Sequence, residues 1–255
     1  MDHILTERRD SVLRIEFNRA DKKNAITAAM YQALAEALLA AETDGFVRVV
    51  LVHGKADIFT AGNDLQDFLA NPPRDESTPV FRFLRAVSHF GKPLVAAVGG
   101  LAVGVGTTML LHCDLVFCAP GTRFSLPFVN LALCPEAASS YLLPRLAGYQ
   151  RAAELLMLGE PFSAERAREI GLVNEIVAPE KLLDTAWASA ARLAQKPAAS
   201  LVATKALMKR GLIGPIDQAM AAESAVFLEY LGSPEAKEAF SAFLEKRAPD
   251  FSKFG

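Results

Sequence analysis

Three stretches of this 255-residue chain carry residue types that could do chemistry. Glu136 stands in Pro135-Glu136-Ala137-Ala138-Ser139-Ser140-Tyr141, a lone carboxylate among apolar and small residues. A carboxyl group withdrawn from water resists ionisation, so its pKa climbs toward neutrality and it can take up and return a proton. A plainer alternative is that Pro135-Glu136 opens a helix, whose positive end favours an acid. The residues taken alone favour the plainer one.

The second stretch is Phe59-Thr60-Ala61-Gly62-Asn63-Asp64-Leu65. Its small residues allow a sharp turn and a close approach of backbone to a ligand, with an amide N–H free to face a cavity. An ordinary strand-to-helix turn fits equally well. The third is Gly99-Gly100-Leu101-Ala102-Val103-Gly104-Val105-Gly106-Thr107-Thr108, where unused N–H groups at the start of a helix suit an anion or a developing oxyanion. Gly104-x-Gly106 also looks like part of a dinucleotide fingerprint, but Met109 stands where the third glycine belongs.

Elements to position these residues are legible around them. Leu13, Ile15 and Phe17 alternate with Val12, Arg14 and Glu16, which predicts a strand over Ser11 to Asn18. Thr27 caps a helix carrying Met30, Leu34 and Leu38 at helical spacing, ending at Thr43-Asp44-Gly45. Continuous apolar runs predict buried strands at Val47 to His53, Pro93 to Val98 and Asp114 to Ala119, with helices at Val80 to Phe90 and Thr107 to His112 between them. Strands separated by helices predict a mostly parallel sheet. From Ala137 the pattern is almost wholly helical, and Asn71 to Pro79 reads as a surface loop.

Composition excludes several classes of function. Lys plus Arg is 27 against 29 Asp plus Glu, a net charge of −2 without like-charge blocks, which argues against phosphate-driven nucleic-acid binding. The four histidines and three cysteines lack metal-site spacing, so no metal is expected and Cys113, Cys118 and Cys134 read as core thiols of a reducing compartment. No window reaches about 18 apolar residues, and no targeting segment is evident. The expectation is a cytoplasmic chain without a membrane partner.

Asn18-Arg19 with Lys23-Asn24-Ala25, the Phe59 to Leu65 and Gly99 to Asp114 blocks, and Gly159, Ala164, Ala167 and Gly171-Leu172-Val173 together resemble the enoyl-CoA hydratase/isomerase (crotonase) superfamily. The resemblance runs from the first strand to Phe240 and Arg247-x-Pro249. Within the superfamily the Ala-Gly-Asn-Asp-Leu and Pro-Glu-x-x-Ser-Ser-Tyr blocks are most similar to those of peroxisomal-type Δ3-Δ2-enoyl-CoA isomerases. It implies an α/β spiral of β-β-α units of the ClpP/crotonase kind over residues 1–195, then a helical trimerisation region over 196–255. It also implies a homotrimer or homohexamer. Phe227, Leu228, Leu231, Phe240 and Phe243 are expected to be exposed for such contacts.

Roles follow from the same resemblance. The backbone N–H groups of Asn63 and Val105, the latter often glycine in relatives, hold the thioester oxygen. Glu136 is the proton shuttle. Thr108 and Phe128 stand where hydratases keep their two glutamates, and Thr108 has no assigned role. Coenzyme A meets backbone near Ala25 and at Ala61, Gly62, Asp64 and Leu65, with Lys22 or Lys23 on a phosphate; a helix cap is the better reading of Asp64. The acyl-CoA thioester is the substrate, and no cofactor is implied.

One base that removes and returns a proton suits a double-bond shift better than hydration, which needs two groups. Isomerisation of a 3-enoyl-CoA is therefore the expectation. Hydration, ring-epoxide isomerisation and non-catalytic acyl-CoA binding are the alternatives. An NAD-dependent dehydrogenase is disfavoured, because Tyr141-x-x-x-Arg145 replaces the Tyr-x-x-x-Lys of such enzymes.

Overall fold

The computed structural model describes residues 2–55, 57–75 and 77–254. The main sheet is built from β1 (Ile4–Arg9), β2 (Val12–Phe17), β3 (Val49–His53), β4 (Leu94–Val98), β6 (Leu115–Cys118) and β9 (Glu175–Ile176), in that spatial order. Only the β1–β2 pairing is antiparallel. A smaller sheet holds β5 (Leu101–Val103), β7 (Arg123–Ser125) and β8 (Phe162–Ser163). β4 passes to β5 and β6 to β7 through short turns, so successive strand pairs step from one sheet to the other as the spiral expectation requires.

Helices complete the units: α1 (Ala28–Thr43), α2 (Leu65–Ala70), α3 (Pro79–His89), α4 (Val105–Thr108), α5 (Ser139–Ala147), α6 (Tyr149–Ala153), α7 (Ala164–Glu169) and α8 (Leu182–Ala194). α9 (Ala198–Lys209), α10 (Ile213–Leu231) and α11 (Pro234–Leu244) follow. Thr27 caps α1 by accepting the Met30 N–H, and Met30, Leu34 and Leu38 are buried. Strand alternation divides the core. Val49, Leu51, Val95 and Ala97 face α8, whereas Val50, Val52, Ala96 and Val98 face the larger core with α1 and α3.

Several expectations change. β1 pairs along the whole of β2, yet only Ile4 of its six residues is buried, so its polar sequence hides a strand at the sheet edge. β8 and β9 interrupt the supposedly all-helical second half. Phe227 and Phe240 are buried in the main core because α10 and α11 fold back on their own chain; Phe243 stays exposed. No helix among the described residues is long and apolar enough to cross a membrane.

Candidate active site

Asn63 lies in an extended segment laid between two others. On one side Ile26 N–H donates to Gly62 O at 2.8 Å and Asp64 N–H donates to Ile26 O at 2.9 Å. On the other, Thr60 N–H donates to Leu101 O at 2.9 Å and Val103 N–H donates to Thr60 O at 3.1 Å. Gly62 has φ of +83°, and a Cβ there would stand 2.7 Å from Val103 O. At Gly106 a Cβ would fall 2.5 Å from the Thr60 side chain. Gly62 is required by its positive φ and the close Val103 backbone, while at Gly106 the Thr60 side chain fills the space that a Cβ would need.

The Asn63 amide, facing away from Ile26, and the Val105 amide at the first turn of α4 donate to no acceptor among the described residues. Both residues line a cavity of about 270 Å³ together with Ala61, Gly62 and Leu65. Two unused, fixed N–H donors in one apolar cavity can stabilise an oxyanion. The Asn63 side chain is itself fixed, its Oδ1 accepting from the buried Tyr31 hydroxyl. Burial and, secondarily, Glu136 push the Tyr31 pKa well above its ordinary value, so the phenol keeps its proton and remains a donor.

Glu136 is buried, and its Oε1 has no hydrogen-bond partner. Burial first, and the Glu223 carboxylate second, push its pKa up to about 8, while the Thr108 hydroxyl pulls the other way. The carboxyl lines a separate chamber of about 10 Å³, not the larger cavity. Phe68 and Phe227 belong to the walls of both spaces. Glu136 does not open a helix: Ala137 and Ala138, both left-handed, separate it from α5.

The remaining residues named from sequence divide. Ala61, Gly62 and Leu65 line the cavity; Lys22, Lys23, Ala25 and Asp64 do not. Lys22 and Lys23 are exposed, and Lys23 O accepts the Ala61 N–H at 3.0 Å. Asp64 caps α2 by accepting from Gln66 and Asp67 N–H, and it also pairs with Arg19 at 2.7 Å. Phe128 lines the cavity, whereas Thr108 faces Glu136. No group of three metal-ligating side chains occurs among the described residues.

Three functional neighbours escape the sequence reading. Tyr31 occupies a core position on α1 with nothing to separate it from packing. Arg247 lines the cavity, held by Glu238 and Glu245. Glu223 is the third, a second buried carboxyl beside Glu136, and its own signal resembles that of Glu136: one acid in the small, apolar run Met220 to Phe227.

Comparison with known proteins places this geometry in a family. Residues 7–253 match the family model described as enoyl-CoA hydratase/isomerase. The chain is 34% identical to 1,2-epoxyphenylacetyl-CoA isomerase of Escherichia coli (strain K12), covering 99% of both chains. It is also 34% identical to the peroxisomal enoyl-CoA delta isomerase 3 of Mus musculus, over 96% of this chain and 79% of that protein. The structure of Pseudomonas aeruginosa OdaA superposes with a TM-score of 0.93 at 47% identity, covering 96% of this chain and 99% of that one. Similar relatives carry both hydratase and isomerase names. With the spiral of strand pairs, the two unused amides and near-complete coverage all in agreement, the chain belongs to the enoyl-CoA hydratase/isomerase family, crotonase-fold enzymes acting on acyl-CoA thioesters.

Proposed function

We propose that this enzyme moves the double bond of a 3-enoyl-CoA to the 2-position. The observation that carries the reading is the count of usable carboxyl groups. Among the described residues Glu136 alone is a buried carboxyl with an unpartnered oxygen, and Thr108 and Phe128 contribute no carboxyl where hydration needs a second group. The other buried carboxyl, Glu223, is occupied by Ser140 and by the Ala138 N–H.

In this mechanism the Asn63 and Val105 N–H groups receive the thioester oxygen, whose charge grows as the C2 proton leaves. Ionised Glu136 takes that proton, the electrons delocalise into a dienolate, and the resulting acid returns the proton to C4. The product is the conjugated 2-enoyl-CoA. The reaction is redox-neutral, and protons balance on one carboxyl group. Lys22 or Lys23 meets a coenzyme A phosphate, and Ala25 with Ala61 to Leu65 borders the adenine.

A second reading rests on the cavity wall. Phe68, Phe128, Phe227, Phe240 and Phe243 line it, a surface suited to an aryl acyl group. Ring-epoxide isomerisation would use Glu136 in its acid form. Rates with a 3-enoyl-CoA, a 2-enoyl-CoA and 1,2-epoxyphenylacetyl-CoA decide the matter. The first reading requires rapid conversion of the 3-enoyl-CoA and little hydration; faster turnover of the epoxide supports the second, and efficient hydration contradicts both.

A further inference from the structure

Glu223 reaches from α10 to grip the turn that follows Glu136. One of its oxygens accepts the Ala138 N–H at 2.7 Å, and the other accepts the Ser140 N–H at 2.9 Å and the Ser140 hydroxyl. The gripped turn is strained: Ala137 and Ala138 have φ of 59° and 55°. Left-handed backbone is unfavourable for a residue with a side chain, so consecutive alanines hold it only where the surroundings fix it.

Ser139 contributes from within the turn, its N–H and Oγ both donating to Glu136 O at 3.0 and 2.6 Å. His112 Nε2 lies 2.8 Å from Ala137 O, and burial lowers the His112 pKa to about 4, which leaves the ring neutral. Of these holds only Glu223 comes from the C-terminal helices and can carry charge. Glu136 and Glu223 line the same small chamber.

From this geometry we propose that Glu223 is the positioning residue of Glu136, locking the turn that aims its carboxyl and facing that carboxyl with the negative charge that its three donors favour. The proposal rests on the reading of Glu136 as the base. The groups facing Glu136 are the Tyr31 hydroxyl from α1, the Thr108 hydroxyl from α4, the Cys134 thiol of its own loop and Glu223 from α10; no cation offsets the pair among the described residues. Burial pushes the Glu223 pKa up as well, but three donors pull it back toward the charged form, whereas Glu136 has the Thr108 hydroxyl alone and a bare oxygen. When the pair shares a single charge, Glu223 therefore holds it and Glu136 holds the proton.

The pH dependence of kcat/KM with a 3-enoyl-CoA tests this in the wild type, Glu223→Gln, Glu223→Asp and Glu136→Gln. In Glu223→Gln the acid limb moves to lower pH by about one unit, the scale of two coupled carboxyl groups. In Glu223→Asp, which keeps the charge and shortens the grip, the limb stays in place while kcat falls about tenfold and KM holds. A wild-type limb together with a wild-type kcat in Glu223→Gln overturns the proposal. If Glu223→Gln does not fold, an undiminished kcat in Glu223→Asp overturns it. Activity retained by Glu136→Gln defeats the reading of the base instead, so the two failures are distinguishable.

Discussion

The rings of Phe68 on α2 and Phe227 on α10 stand edge to face, centroids 6.2 Å apart and planes at 86°. They form the partition between the cavity holding the Asn63 and Val105 amides and the chamber holding Glu136. Helices α10 and α11 and the segment after them, through Phe227, Phe240, Phe243 and Arg247, thus complete the wall of a site whose amides belong to the spiral. In the proposed mechanism the C2 proton reaches Glu136 across this partition.

Phe227→Ala removes half the partition and a buried ring of the main core. It should destabilise the protein by about 3 kcal/mol or more, the usual range for a buried Phe→Ala change, as read from the denaturant midpoint. A loss under about 1 kcal/mol would mean that α10 is not part of the main cooperative core.

The protonation of Glu136 makes stability depend on pH. Its folded pKa of about 8 lies above its ordinary value of 4.5, so the native state binds a proton that the unfolded chain releases between those values. This contribution is fully present below about pH 4.5 and is lost as the pH rises through about 8. Glu136→Gln cannot lose a proton. Relative to the wild type it should gain stability across that window, reaching a few kcal/mol at its top. Melting temperatures at pH 5 and pH 9 check this; a constant difference between the two proteins contradicts it.

The resemblance gave Thr108 no role, which predicts a mild effect for its loss. Its hydroxyl, which donates to Val105 O at 3.4 Å, also stands beside Glu136 and favours the ionised carboxylate. Thr108→Val keeps the shape and removes the donor, so the acid limb of kcat/KM should move to higher pH and the rate at pH 7 should fall about fivefold, the worth of one hydrogen bond. An unchanged profile would show that the hydroxyl does not bear on the base.

Exposed surface, rather than the buried Phe227 and Phe240, is where association would occur. Tyr149, Met157 and Leu158 are largely exposed on neighbouring turns, as is Phe243, and apolar surface of this kind favours association. Light scattering should give three or six times the 27.5 kDa of one chain. A monomer at micromolar concentration contradicts that expectation.

β3, β4, β6 and α1 were legible because burial on both faces demands continuous apolar runs and the Thr27 cap marks where a helix begins. β1 was not, since a sheet edge tolerates the polar residues of Leu5 to Arg9 on most of its surface. Asn63 and Val105 were named through ordered blocks of sequence, but sequence cannot show that both amides lack acceptors. Glu223 and Thr108 bear on Glu136 only through tertiary packing, which brings residues 85 positions apart onto one turn. Lys22 and Lys23 illustrate the converse, being close in sequence to site residues and yet outside the cavity wall.

In the proposed mechanism Glu136 moves the proton. Single-turnover conversion of a 3-enoyl-CoA, followed by the rise in conjugated-thioester absorbance, measures that step in the wild type and in Glu136→Gln, with acyl-CoA affinity titrated separately. The variant should bind acyl-CoA nearly as well and convert it at least about 10²-fold more slowly, the lower end of what a general base contributes. Conversion by Glu136→Gln at the wild-type rate, with binding intact, would contradict the account and require another base.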